Sequence, residues 1–229
     1  MMIKAIIFDL DGVIIESAGI KTEAFRTLFA DYPDKLSKII SYHEKNAGIS
    51  RYIKFRYIYE KMLGKKLSPE KEKDLGAKFS QIALDKILKA PLVAGVEDFL
   101  NSSYQRYLLF VASGTPEEEL GFILRQRGLA NYFKGAYGTP QTKTQITKRI
   151  LDEHQLANRE AVCVGDAESD KIAAAESGVT FVARVDADDN SLDNCTWKIR
   201  NFTGFSEMLD KISKTALACN KARKESDHK

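Results

Sequence analysis

A chain of 229 residues, 44% hydrophobic, with 35 Lys plus Arg against 32 Asp plus Glu, can bury one core and carry an insertion. The net charge of +3 lacks the basic excess of a nucleic-acid binder, and no stretch approaches the ~18 consecutive apolar residues of a membrane span. Cys163, Cys195 and Cys219 form no CxxC pair, so neither a disulfide framework nor a zinc site is indicated; with no secretory-type leader before the first strand, a cytoplasmic protein is expected.

Residues 3–8, apolar but for Lys4, form a run that stops at Asp9-Leu10-Asp11-Gly12. A run so rich in Ile fits a strand covered on both faces of a parallel sheet, and such strands deliver their last residues to the ligand-binding edge. Two carboxylates one residue apart repel unless a cation or a proton lies between them, while Gly12 lets the backbone turn. Helical spacing follows. Ile20, Ala24 and Leu28 share one stripe, and Tyr52, Phe55, Tyr59 and Met62 another that ends at Gly64. Ser68-Pro69 opens a further helix. Residues 17–88 therefore read as a helical insertion, a cap, with twelve basic residues against five acidic between Lys35 and Lys78. Within it the loop 46–51 interrupts two helices and presents Arg51 at a helix start.

Beyond Pro91 strands and helices alternate. A short helix over 96–100 precedes a buried strand over 107–112, which ends in Ser113-Gly114-Thr115-Pro116. Thr115 and Glu118 have the spacing of a capping box, with Pro116 as the first helical residue. A hydroxyl and free amides at such a helix start suit an anion. A third strand, 135–137, leads through residues 138–144 into a helix. Lys143 there is a flexible ammonium at a loop–helix junction, but Thr142 stands where a Walker A loop needs glycine. The fourth strand, 161–164, ends in Gly165-Asp166 and Asp170. A calcium loop is rejected, because Lys171 replaces its turn glycine and Ser177 its closing glutamate. Strands at 180–183 and 197–199 and a helix at 204–212 complete an α/β core of residues 1–16 and 89–212, built on a mostly parallel sheet of five or six strands. Residues 213–229 read as a basic, disordered tail.

Four strand-end motifs thus occur in order: Asp9-Leu10-Asp11-Gly12-Val13, Ser113-Gly114-Thr115, Lys143, and Gly165-Asp166 with Asp170. Together they resemble the haloacid dehalogenase superfamily, and the helical insertion resembles the cap of its phosphoglycolate phosphatase and β-phosphoglucomutase branch. The resemblance implies a Rossmann-like core in which Asp9 is a nucleophile forming an aspartyl-phosphate and Asp11 a general acid that then activates water. It further implies Mg²⁺ held by the Asp9 carboxylate, the Asp11 carbonyl and Asp166, with Asp170 orienting this shell, and a phosphoryl group bound by Ser113, the Gly114 amide and Lys143.

Gly48-Ile49-Ser50-Arg51 is similar to the mutase branch's cap loop, whose arginine binds the substrate's second anionic group. Lys21 stands where that branch has a histidine. The reading that results is an Mg²⁺-dependent phosphatase of a small sugar-phosphate or phosphoglycolate-like metabolite, with no nucleic-acid or membrane partner, as a monomer or homodimer. A sugar phosphomutase and a non-catalytic binding or regulatory protein of the same fold are the alternatives.

Overall fold

Every residue of β1 (Ala5–Phe8) is buried, as its unbroken apolar sequence requires of a strand with neighbours on both edges and layers on both faces. The computed structural model describes residues 2–185, 192 and 194–226, with side chains through Thr215. Within them, β1 joins β2 (Leu108–Pro116), β3 (Gly135–Thr139), β4 (Ala161–Gly165), β5 (Thr180–Arg184) and β6 (Trp197–Ile199). The sheet order is β3-β2-β1-β4-β5-β6, and all pairs are parallel.

Register decides which side chains meet. Phe8 lies opposite Val111 of β2 and Val164 of β4, so the residues that follow each of these, Asp9, Ala112-Ser113 and Gly165-Asp166, leave the sheet at the same edge. The strand order reverses direction between β1 and β4, and open α/β sheets form their ligand crevice at such a switch point.

Between β1 and β2 the chain is helical: α1 (Ala18–Leu28), α2 (Pro33–Lys45), α3 (Arg51–Tyr57) with a π-turn at Ile58–Met62, and α4 (Pro69–Lys89). Ser68 accepts from the Lys71 amide and caps α4, as the Ser-Pro pair indicated. Phe25, Phe29, Phe55, Tyr59 and Phe79 pack ring against ring at the centre of this helical block. Its two connections to the core lie side by side. Ile15 bridges Leu92, the Val93 amide donates to the Ile14 carbonyl, and the Glu16 amide donates to the Pro91 carbonyl.

The remaining helices are α5 (Val96–Ser103), α6 (Glu117–Gln126), α7 (Lys143–Glu153), α8 (Glu168–Ser177) and α9 (Phe205–Ser226). Two sequence expectations are corrected here. Strand β2 runs on through Ser113, Gly114 and Thr115 with a register shift against β3, so Thr115 caps nothing and α6 starts at Glu117 without a side-chain cap. A capping box does form at α7, where Thr142 accepts from the Gln145 amide and Gln145 from the Thr142 amide. The last helix reaches Ser226 where an unstructured tail was expected from residue 213; the Ala216-Leu217-Ala218 run favours helix and no Gly or Pro stops it. Residues 227–229 of that expected tail, and the Cys219 side chain, lie outside what is described. No helix among the described residues is long and apolar enough to cross a membrane.

Candidate active site

The turn after β1 builds the centre of the site. The Ile14 and Ile15 amides both donate to the Leu10 carbonyl, and Gly12 takes a left-handed conformation at φ 76°. A Cβ on Gly12 would lie 1.9 Å from an Asp166 carboxylate oxygen, so glycine is needed here both for the turn and for the approach of β4. The turn leaves the Asp9 and Asp11 carboxylates in different surroundings. Asp9 Oδ1 accepts from the Leu10 amide at 2.7 Å, and Oδ2 faces Lys143 Nζ at 2.8 Å. Asp11 Oδ1 accepts from Ser17 Oγ at 2.7 Å, and its Oδ2 is paired with Lys21 Nζ and reached by Thr115 Oγ1 at 3.4 Å. Lys21 also donates to Thr115 Oγ1 at 2.8 Å.

Lys143, the first residue of α7, reaches back under the sheet edge and pairs with Asp170 Oδ1 at 2.7 Å as well as with Asp9. Burial alone would strip its proton, but the Asp170 and Asp9 carboxylates outweigh burial and hold Lys143 protonated well above the usual lysine range. Asp170 is pushed up to about 7 by burial despite Lys143, and Asp166 is also raised, first by burial and then by the charges of Asp9 and Asp170. Asp11 goes the other way. Burial would raise it, yet the Lys21 ammonium holds it ionised below the ordinary carboxylate value.

Carboxylate oxygens of Asp9, Asp166 and Asp170 all lie within 4.8 Å of one another, and Asp170 Oδ2 is buried with no hydrogen-bond partner among the described residues. Of the two lysines at this edge, only Lys143 balances the three, since Lys21 is engaged by Asp11. Oxygen-only donors with surplus negative charge and an orphaned buried oxygen fit a hard divalent cation and suit no soft metal.

Above these residues lies a cavity of about 240 Å³ between the helical block and the sheet edge. Asp9, Asp11, Asp166, Lys21, Gly114 and Thr115 line its floor; Phe25, His43, Arg51, Lys54 and Phe79 line its roof. The roof meets the floor closely at the loop 46–50. A Cβ on Gly114 would lie 2.4 Å from the Gly48 carbonyl oxygen, and Ser169 Oγ donates to the Ala47 carbonyl at 2.9 Å.

The structure therefore brings Asp9, Asp11, Lys143, Asp166 and Asp170 to one edge. Ser113 does not line the cavity: its hydroxyl accepts from the Thr115 amide at 3.1 Å, and the next two residues, Gly114 and Thr115, supply the lining. Arg51 is in the roof, but its guanidinium pairs with Glu119 of α6 at 2.6 Å, an oxygen that Ser80 of α4 also holds. Sequence reasoning gave no role to Ser17, His43, Lys54 or Glu119, and read Thr115 as a helix cap within the Ser113-Gly114-Thr115 motif. Lys54 carried a signal, because residues 51, 54, 55 and 58 form one helical stripe and all four are buried.

A parallel α/β sheet with carboxylates and a lysine gathered at its carboxyl edge, under a helical insertion, defines a class of open α/β proteins whose ligands bind at that edge. The sequence narrows it further. Residues 6–184 match the family model for haloacid dehalogenase-like hydrolases, and the chain belongs to that family. Similar solved structures include a predicted phosphoglycolate phosphatase from Haemophilus somnus, 18% identical with TM-score 0.72 over 91% of this chain and 98% of that one. A β-phosphoglucomutase from Clostridium difficile is 18% identical with TM-score 0.75, covering 94% and 100%. CbbY from Rhodobacter sphaeroides, solved as a point mutant in complex with xylulose-1,5-bisphosphate, is 16% identical with TM-score 0.69, covering 88% and 95%. At these identities the likeness is one of fold. A search of the curated proteins finds no match.

Proposed function

We propose that this protein is an Mg²⁺-dependent phosphomonoester hydrolase acting on a small phosphorylated metabolite in a reducing compartment such as the cytoplasm. The observation that carries the reading is Asp9: a carboxylate that lines the cavity, is held at one oxygen by Lys143, and shares a carboxylate cluster with Asp166 and Asp170. Asp9 attacks phosphorus and the ester P–O bond breaks; a water then attacks the phosphorus of the aspartyl-phosphate and returns Asp9 to its carboxylate with release of phosphate. The Lys143 ammonium offsets the repulsion between the two anions before attack. Asp9, Asp166 and the Asp11 carbonyl, with Asp170 close by, would hold Mg²⁺, which would supply charge stabilisation for the transferring phosphoryl group.

Asp11 handles the protons. With Lys21 beside it, its resting form is the carboxylate, which suits removal of a proton from the attacking water. The leaving oxygen is protonated from the Asp11–Lys21 pair, both members of which line the cavity. The Gly114 amide edge completes the phosphoryl cradle. The mutase alternative differs in outcome, since a mutase keeps the phosphoryl group on its product. Here Lys21, where the mutase branch has a histidine, is paired with Asp11 and donates to Thr115.

A phosphate-release screen over short phosphate esters, sugar phosphates and nucleotides tests the proposal. Release that needs Mg²⁺ and stops with EDTA is expected. Isomerised ester without free phosphate would establish the mutase instead, and no reaction on any ester would support a binding protein.

A further inference from the structure

Two cations of α3 face the cavity from above, and they are not equivalent. The Arg51 charge is already matched by Glu119, across the junction between helical block and core, so Arg51 fastens the roof. Lys54, one turn later, is 3% exposed and has no carboxylate within ion-pair distance among the described residues. Its ammonium is 3.1 Å from His43 Nδ1 and 3.2 Å from the His43 carbonyl, and stands 5.6 Å from the centre of the Phe25 ring. An ammonium has three N–H groups, so one is left for the cavity that Lys54 lines. Arg51 Nε, also buried, has no hydrogen-bond partner among the described residues.

A buried lysine with no carboxylate counter-ion is costly to keep, and the two His43 contacts and the Phe25 ring face supply no negative charge in exchange. The missing negative charge therefore belongs to something that enters the cavity. We propose that Lys54, positioned by His43, is the specificity-determining residue that binds the far end of the substrate, and that this end is anionic: a carboxylate or a second phosphate on a short phosphomonoester. The inference rests on the reading of Asp9 as the phosphoryl-transfer end. Cavity size agrees with this class, because a cavity of about 240 Å³ has room for a phosphate on a short acid.

Titration adds support. Burial, then the Lys21 and Lys143 ammoniums, lower Lys54 to about 7 against a smaller opposing pull from Asp11. The groups facing it are His43 from α2, Lys21 and the Phe25 ring from α1, Lys143 from α7 and Asp11 from the β1 turn. His43, lowered to about 3 by burial and by Lys54, is neutral near pH 7, so it orients the ammonium without adding a charge. An anion in the cavity restores the proton on Lys54, which makes binding of an anionic end accompanied by proton uptake.

Calorimetric binding in an Asp9→Asn background with Mg²⁺ tests this without requiring turnover. The probes are 2-phosphoglycolate, ethyl phosphate, which has a methyl in place of the carboxylate, and ethylene glycol bisphosphate. The expected result is that 2-phosphoglycolate or the bisphosphate binds about 10- to 100-fold more tightly than ethyl phosphate, with the better of the two naming the anion. Lys54→Met should erase that ratio and Lys54→Arg restore part of it. The ratio should also fall between about pH 6 and about pH 9, and a ratio cancels titrations common to all three esters.

Equal binding of all three probes, or an equal loss for all three in Lys54→Met with Lys54→Arg no better, would overturn the proposal. Failure of the Asp9-intact protein to release phosphate from any probe, with the binding ratio intact, would refute the phosphatase reading and leave the role of Lys54 standing.

Discussion

Lys143 and Lys54 are buried to nearly the same degree on either side of the junction between core and helical block, yet their surroundings drive them in opposite directions. Lys143 sits between two carboxylates of its own chain and is held charged; Lys54 has a neutral imidazole and an aromatic ring, and sheds its proton near neutrality. On the proposed function, the difference separates two duties. A cation that must always be present to counter a phosphoryl group is given its counter-ions by the fold. A cation that reads a ligand is left without one, and the ligand completes it.

The comparison breaks most visibly at the carboxylate that Lys143 holds. Asp9→Asn should lower phosphate release on the order of 10⁴- to 10⁶-fold with the fold intact by circular dichroism, the scale on which removing a nucleophile acts. Retention of activity within about tenfold of the parent would remove Asp9 from the chemistry. Next in size is Lys143→Met, which strands Asp9 and Asp170 in the interior and should destabilise the protein by about 3–5 kcal/mol in urea titration, before any loss of activity is counted.

Lys54→Met has the opposite sign. A lysine lowered from its ordinary 10.5 to about 7 weakens the fold, fully below about pH 7 and progressively less as pH rises to 10.5, by roughly 1.4 kcal/mol for each pH unit between the two values. Lys54→Met should therefore be more stable than the parent at neutral pH, by a few kcal/mol, on the order of 4, and the gap should close toward pH 10.5. Thermal unfolding of both proteins across that range checks it, and a less stable variant at neutral pH would show that Lys54 is a structural support. The smallest effect belongs to the roof fastening. Glu119→Gln should weaken docking of the helical block by about 1.5–3 kcal/mol and raise KM for anionic and neutral esters alike, unlike any change at Lys54.

The parts of the site that the sequence disclosed are those where one short stretch holds all the information. An apolar run that stops at Asp9-Leu10-Asp11-Gly12 locates a strand end without knowledge of any other segment, and the same logic placed Asp166 and Lys143. Thr115 was misjudged because its spacing to Glu118 satisfies a local rule, while the backbone follows the sheet pairing of β2 with β3 and the hydroxyl goes to Lys21 and Asp11. Arg51 was located at its helix start, but its partner Glu119 lies 68 positions away and no local pattern connects them. Lys54 was legible in principle, as a charge on a stripe of buried positions. It passed for one more basic residue among twelve because a solvated face is the ordinary home of such residues.

The central claim is that phosphoryl transfer passes through Asp9. Rapid acid quench of the Mg²⁺-loaded protein during turnover of a short phosphate ester, followed by peptide mass spectrometry, reads it directly. The account predicts one phosphoryl group, labile to hydroxylamine, on the peptide that carries Asp9 and absent from Asp9→Asn. A phosphoryl group on any other residue, or turnover at full rate with none on the Asp9 peptide at any quench time, would contradict it.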